Sequence, residues 1–270
     1  VAGGQLDLTP GVLVGVLNVT PDSFSDGGEW DEPSLALKRA ESMAAEGALV
    51  IDVGGESTRP GADPVSIDEE RSRAIPVVKG LVERGITVSI DTYKPEIASL
   101  AIEAGASIVN DVTGFDDEAM IEVVAAGDVG LVVMHGRGQQ LDQLAHEADV
   151  VSEVESHLLA RAQALRDAGI AERRIAIDPG LGFAKRHEQS AALIAGIARL
   201  TRHGFPVMVG ASRKGFLKSV AGADTRESRD NVTAAISAVT FLDGVRLFRV
   251  HDVARSRDAL RLAGAIVTDQ

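Results

Sequence analysis

Short apolar runs alternate with Ala-rich amphipathic stretches along this chain, and no other feature restricts its fold as strongly. The runs are Val12–Leu17, Leu49–Val53, Thr87–Ile90, Ser107–Val109, Gly130–Met134, Ile175–Ile177, Val207–Val209 and Leu247–Val250. Between and after them lie segments with helical spacing: Ser34–Ala45, Asp68–Glu83, Pro95–Ala104, Asp117–Ala126, Val151–Ala168, Ser190–Thr201, Arg229–Leu242 and Ala254–Ile266. Parallel strands need a crossover long enough to hold a helix, so this alternation reads as repeated βα units. Eight units in 270 residues predict one α/β domain over 1–270, a (β/α)8 TIM barrel with residues 1–10 as a short N-terminal extension. A doubly wound open sheet is the alternative. Gly47, Gly85, Gly105, Gly169, Gly204 and Gly244 stand where helices should end and read as C-caps.

Composition narrows the function classes. Hydrophobic residues make up 45% of the chain but aromatics only 3%, so the core must be built from Ala, Val, Leu and Ile. The net charge of −13 argues against a nucleic-acid surface, and any anion site must be assembled locally against that field. No Cys is present, which excludes disulfides and thiolate chemistry and is compatible with a cytoplasmic setting. The first residues carry no signal-peptide pattern, and no run approaches the ~20 apolar residues that span a bilayer.

The unusual polar residues fall at or just past the ends of the expected strands. They are Asn18, Glu56 to Arg59, Asp91, Asn110, His135, Asp178, Lys214, Arg249 and His251. In a barrel these ends open on one face, where active sites are built. Each residue alone also fits a turn or cap; their convergence on one rim weakens that reading. The amide oxygen of Asn18 suits Mg2+ or an Asx turn. Asp91, Asn110 and Asp178 offer acceptors and an amide donor suited to an aminopyrimidine edge. Asp178-Pro179-Gly180-Leu181-Gly182-Phe183-Ala184-Lys185 adds an apolar wall at Phe183 and a cation. The last two loops carry Arg213, Lys214, Arg249 and His251, cations that read as an anion clamp in an acidic protein, with a structural salt-bridge network as the alternative. No Ser-His-Asp signature and no zinc-type ligand spacing is visible, and His187 and His203 read as surface residues.

Two long loops carry a resemblance. Asn18-Val19-Thr20-Pro21-Asp22-Ser23-Phe24-Ser25-Asp26-Gly27-Gly28 and Gly54-Gly55-Glu56-Ser57-Thr58-Arg59-Pro60-Gly61 resemble the two flexible loops of the dihydropteroate synthase family. Asp91-Thr92, Asn110-Asp111, Met134-His135, Asp178-Pro179-Gly180, Ser212-Arg213-Lys214 and Arg249-Val250-His251-Asp252 resemble its later motifs, in order. The resemblance implies condensation of 6-hydroxymethyl-7,8-dihydropterin pyrophosphate with p-aminobenzoate to 7,8-dihydropteroate, SN1-like, in folate biosynthesis. It implies that Asp91, Asn110, Asp178 and Lys214 hold the pterin, with Met134 and Ser212 in the substrate-binding set. Asn18 would bind Mg2+, the implied cofactor, and with Arg249 and His251 the pyrophosphate. Thr58, Arg59, Phe183 and Lys214 would border the p-aminobenzoate pocket, and Lys214, Arg249 and Asp91 would carry catalysis. A homodimer that is a sulfonamide target, with no nucleic-acid or membrane partner, is implied as well. The family often has Ser where this chain has Gly215, which puts one hydroxyl contact to the p-aminobenzoate carboxylate in doubt. A non-catalytic pterin-binding paralogue and a methyltetrahydrofolate-type methyltransferase module are the alternatives.

Overall fold

A computed structural model of the chain describes residues 5–20, 32–57, 63–136 and 149–268. Its strands are β1 (Val12–Asn18), β2 (Val50–Gly54), β3 (Thr87–Asp91), β4 (Ile108–Asp111), β5 (Gly130–Met134), β6 (Ile175–Asp178), β7 (Met208–Val209) and β8 (Leu247–Val250). All pair in parallel in the order β6-β5-β4-β3-β2-β1-β8-β7. A bridge between Ile177 and Val207, with Ile177 N–H donating to the Pro206 carbonyl at 2.9 Å, brings the two edges together. The result is a nearly closed barrel, and the open-sheet alternative is set aside.

Strand side chains alternate between two environments, as the period of two requires. Outward residues such as Leu13, Ile51, Val53, Val88, Val109, Val133 and Phe248 join the large cluster under the helices. Inward residues Val12, Val14, Val50, Val132, Ala176, Met208 and Leu247 form a second apolar cluster, packed from below by Leu6 and Leu8. Two residues further along the same inward columns, the chemistry changes. Val50 gives way to Asp52, Ser89 to Asp91, Ile108 to Asn110, Val132 to Met134, Ala176 to Asp178 and Leu247 to Arg249. An apolar plug fills the barrel's lower part, and a polar layer lies above it.

The six glycines expected to end helices all have positive φ, from +72° to +119°. Left-handed geometry is cheap only without a Cβ, so these positions are readable locally. The expected helix Ser190–Thr201 differs: it is two helices, His187–Ala195 and Ile197–Leu200, followed by a 3-10 turn. Gly196 stands at their junction, where a Cβ would lie 3.0 Å from the Val151 side chain. An unexpected helix, Phe216–Ala221, follows the β7 loop. Among the described residues, no helix is long and apolar enough to cross a membrane.

Candidate active site

The polar layer forms one connected cluster. Register places Asp91 beside Gly54 and Asn110, and Asp178 beside Met134. From β8, Arg249 donates through Nε to Asp52 and through Nη2 to Asp91, each at 2.6 Å. Asn110 Nδ2 donates to the same Asp52 oxygen at 3.2 Å. Asp52, Asp91, Asn110 and Asp178 are buried. Yet Asp52 Oδ1, Asp91 Oδ1 and Asn110 Oδ1 find no hydrogen-bond partner among the described residues. Each such acceptor costs about 1–3 kcal/mol, so the cluster is built to be completed by a ligand rich in donors.

The neighbouring residues line a pocket, with Val112, Met134 and Phe183 as its apolar walls. Asp178 Oδ1 accepts from Gly180 N–H at 2.7 Å. Lys214 donates to the Leu181 carbonyl, and its ammonium stands 4.0 Å from the centre of the Phe183 ring. Gly54 lies between two of these polar groups: a Cβ there would be in ordinary contact with Asn18 Oδ1 at 3.6 Å and Asp91 Oδ2 at 3.8 Å. A wider hollow, about 510 Å3, lies at the opposite end beside Leu6, Pro10, Leu49 and Ile86. Nothing there matches the convergent buried polar groups of the smaller pocket.

Burial governs the site's protonation. It pushes the Asp91 carboxyl up to about 7, against the pull of Arg249 and with added repulsion from Asp52. Asp178 is raised by the same cause, opposed by Lys214. Burial pushes Lys214 down to about 7 despite Asp178. For Arg249, burial favours loss of the proton, but Asp52 and Asp91 outweigh it and hold the guanidinium above its ordinary value. Two groups poised near neutrality in one cleft mark a functional site.

Several expected site residues are occupied differently. Arg213, read as part of the anion clamp, instead forms a two-pronged pair with buried Asp230 at 2.8 and 2.9 Å. Its left-handed backbone, φ +60°, turns it away from its neighbour Lys214. Glu56 is buried and bound to Lys94 at 2.6 Å and to Tyr93 at 3.0 Å. Ser212 accepts from His251 N–H at 3.1 Å and sits 2.9 Å from His251 Nδ1, so its hydroxyl orients that ring. Asp111, beside Asn110, holds the turn through Thr113 N–H and Phe115 N–H. His135 and Lys185 are buried against each other rather than exposed on the rim. Thr58, Arg59, Asp22 and Asp26 lie outside the described residues. Sequence reasoning passes over Asp52. Its signal is a carboxylate inside an apolar run, two residues after the inward Val50.

The family model of pterin binding enzymes matches residues 14–251. Dihydropteroate synthase of Mycobacterium leprae (strain TN) is 46% identical, over 96% of this chain and 95% of that protein. A Xanthomonas albilineans dihydropteroate synthase solved with 4-aminobenzoic acid superposes with a TM-score of 0.92 at 40% identity, covering 97% of this chain and 95% of that one. A Burkholderia cenocepacia dihydropteroate synthase solved with 7,8-dihydropteroate does so with a TM-score of 0.85 at 40% identity, covering 96% and 92%.

Proposed function

This chain belongs to the pterin-binding enzyme family, among its dihydropteroate synthases, and we propose from that membership how its residues carry the reaction. Its activity joins 6-hydroxymethyl-7,8-dihydropterin pyrophosphate and p-aminobenzoate into 7,8-dihydropteroate, a step of folate synthesis. The single observation that carries our assignment is the set of three buried acceptor atoms above the barrel plug that no described residue pairs. The amine and ring N–H groups of a pterin supply donors missing at Asp91 and Asn110, with Asp178 accepting as well and Lys214 donating to ring acceptors. Met134 packs against the flat ring.

The reaction is SN1-like. Pyrophosphate leaves with the electron pair of the methylene C–O bond, and the reduced pterin ring delocalises the charge left on carbon. The amine lone pair of p-aminobenzoate forms the C–N bond, and the proton it sheds passes to solvent. No group of the cluster is placed as a nucleophile. Instead, Asp91 and Asp178 face a carbon becoming positive, in a site where desolvation strengthens the attraction. Arg249 and His251 would meet the departing pyrophosphate. Arg249 would use the edge not engaged by Asp52 and Asp91, while Ser212 holds the His251 ring.

Asn18 fits a Mg2+ ligand. Its side-chain oxygen stands half-buried at the β1 exit beside Gly54 and accepts no hydrogen bond from the described residues. Bound there, Mg2+ would neutralise charge building on the pyrophosphate. Phe183, Lys214 and the segment with Thr58 and Arg59 form our proposed p-aminobenzoate side, where sulfonamides would compete. Exposed Val239, Leu242, Leu262, Ile266 and Val267 on helices Arg226–Leu242 and Val253–Thr268 support a homodimer, which sedimentation at micromolar concentration would check. A cytoplasmic location completes the reading, and fractionation of cells checks it.

The test is pyrophosphate release from the pterin substrate by purified, Mg2+-loaded protein. Release that depends on p-aminobenzoate supports the reading. A folded protein that releases none overturns it in favour of a non-catalytic binder. Methyl transfer to a corrinoid would favour the methyltransferase alternative.

A further inference from the structure

Lys185 is buried beside the pocket, and the mechanism above gives it no task. Its ammonium contacts three acceptors, each at 2.9–3.0 Å: His135 Nδ1, the His135 carbonyl and the Phe183 carbonyl. One belongs to the loop that carries it; the other two belong to the exit of β5. An ammonium has three N–H groups, so every one is engaged. Accepting at Nδ1 leaves the neutral His135 ring with its proton on Nε2, facing Glu153 at 3.3–3.4 Å from helix Val150–Asp167. Burial, Lys185 and His157 together hold His135 down to about 3, so the ring is neutral at any working pH. Ammonium, imidazole and carboxylate thus form one continuous line of contacts from the β6 loop to helix Val150–Asp167.

The backbone around it is made to accommodate this row. Gly180 has φ +64°, and a Cβ there would stand 2.0 Å from the His135 carbonyl oxygen and 3.3 Å from Lys185 Nζ. Only glycine lets the two loops approach so closely. Ala184, between Phe183 and Lys185, is left-handed at φ +46°, a conformation that costs an alanine roughly 1–2 kcal/mol. That turn sends Lys185 inward while Phe183 lines the pocket. The strain persists because the contacts on both sides of it over-determine the backbone.

We propose that Lys185 is a positioning residue: it fastens the β6 loop to the β5 exit and so fixes the Phe183 ring on which Lys214 rests, at the p-aminobenzoate side of the site. The inference rests on the functional reading above. It acts through Phe183, whose carbonyl Lys185 holds and whose ring lies 4.0 Å from the Lys214 ammonium. The pterin side is held independently, by the pairing of β3, β4 and β6 and by Gly180 N–H on Asp178.

Steady-state kinetics of Lys185→Met against wild type tests it. The KM for p-aminobenzoate rises about tenfold or more, the loss expected for hydrogen bonds from a charged group, while the KM for the pterin substrate changes less than about threefold. An unchanged p-aminobenzoate KM, or both KM values rising together, overturns the proposal. If Lys185→Met does not fold, a pair of variants at His135 carries the same test. Asn offers an oxygen near the Nδ1 position, so His135→Asn stays within about threefold of wild type and His135→Leu shows the tenfold effect. Equal KM values in that pair overturn the proposal. Wild type run alongside keeps the two readings apart, since its own failure to turn over would sink the functional reading and not the role of Lys185.

Discussion

Two buried polar clusters stand on the same rim and are finished differently. In one, Lys94 bonds Glu56, Glu70 and the Val65 carbonyl, Thr92 donates to Glu70, and Tyr93 donates to Glu56. No side-chain atom of these residues is among the buried polar atoms that lack a partner. Burial would pull the Lys94 pKa down, but its bonds to Glu56 and Glu70 raise it. In the other cluster, Asp52, Asp91 and Asn110 each keep an acceptor that no described residue pairs, and burial lifts Asp91 to about 7. The first cluster is complete within the chain, tying the loop that leaves β2 to helix Ile67–Glu83. The second is strained by its own charges and offers acceptors that its own described residues do not use. Buried charge alone does not mark a site; unsatisfied buried charge does.

The sharpest way to break this contrast is to truncate the unfinished cluster. Asp91→Ala and Lys214→Ala should each lower kcat/KM by about a thousandfold or more while leaving the fold intact by circular dichroism, as expected for groups that act on the developing charge. Near-wild-type turnover in either would remove the role assigned to that residue.

A second test uses pH. Asp91 is raised from 3.8 to about 7, so the fold binds its proton more tightly than the unfolded chain does. That contribution to stability is fully present below 3.8 and is lost as pH rises through about 7. Pterin recognition needs the ionised acceptor and runs the other way. Well below neutrality, kcat/KM for the pterin substrate should fall about tenfold per pH unit, and the Lys214 ammonium, held down to about 7, should give an alkaline limb. A pH profile flat between about 5 and 7, where an unshifted carboxylate would already be ionised, would contradict the assignment.

The smallest effect concerns Gly215. A Cβ at this position would meet nothing within 4 Å, and its φ of −62° suits any residue. Gly215→Ser should therefore fold normally and lower the KM for p-aminobenzoate by about threefold if the added hydroxyl reaches the carboxylate. A raised KM would show that the open space is used by the substrate itself.

Much of the barrel and its rim is legible in the amino-acid sequence. The period-two columns and the glycine caps are readable because both follow from local sterics, and Asp91, Asn110, Asp178, Lys214 and Arg249 do converge on one pocket. What escapes such reading depends on direction rather than identity. Arg213 and Lys214 are adjacent cations, and only the left-handed turn at Arg213 decides which one reaches the pocket. Lys185 reads as a loop cation in the sequence, but Ala184 turns it inward. Asp52 is hidden because one carboxylate in an apolar strand carries no motif, and its meaning comes from Arg249, far away in the chain.

The most direct test of the central claim measures pterin affinity and melting temperature together for Asp91→Asn and Glu70→Gln. Asp91→Asn removes a costly buried charge from the unfinished cluster. The account predicts about hundredfold weaker pterin binding, read by calorimetry, with a melting temperature unchanged or higher. Glu70→Gln breaks the finished cluster, and the account predicts a loss of about 2 kcal/mol in stability with pterin affinity within about threefold of wild type. Pterin affinity that follows Glu70 and ignores Asp91 would contradict it.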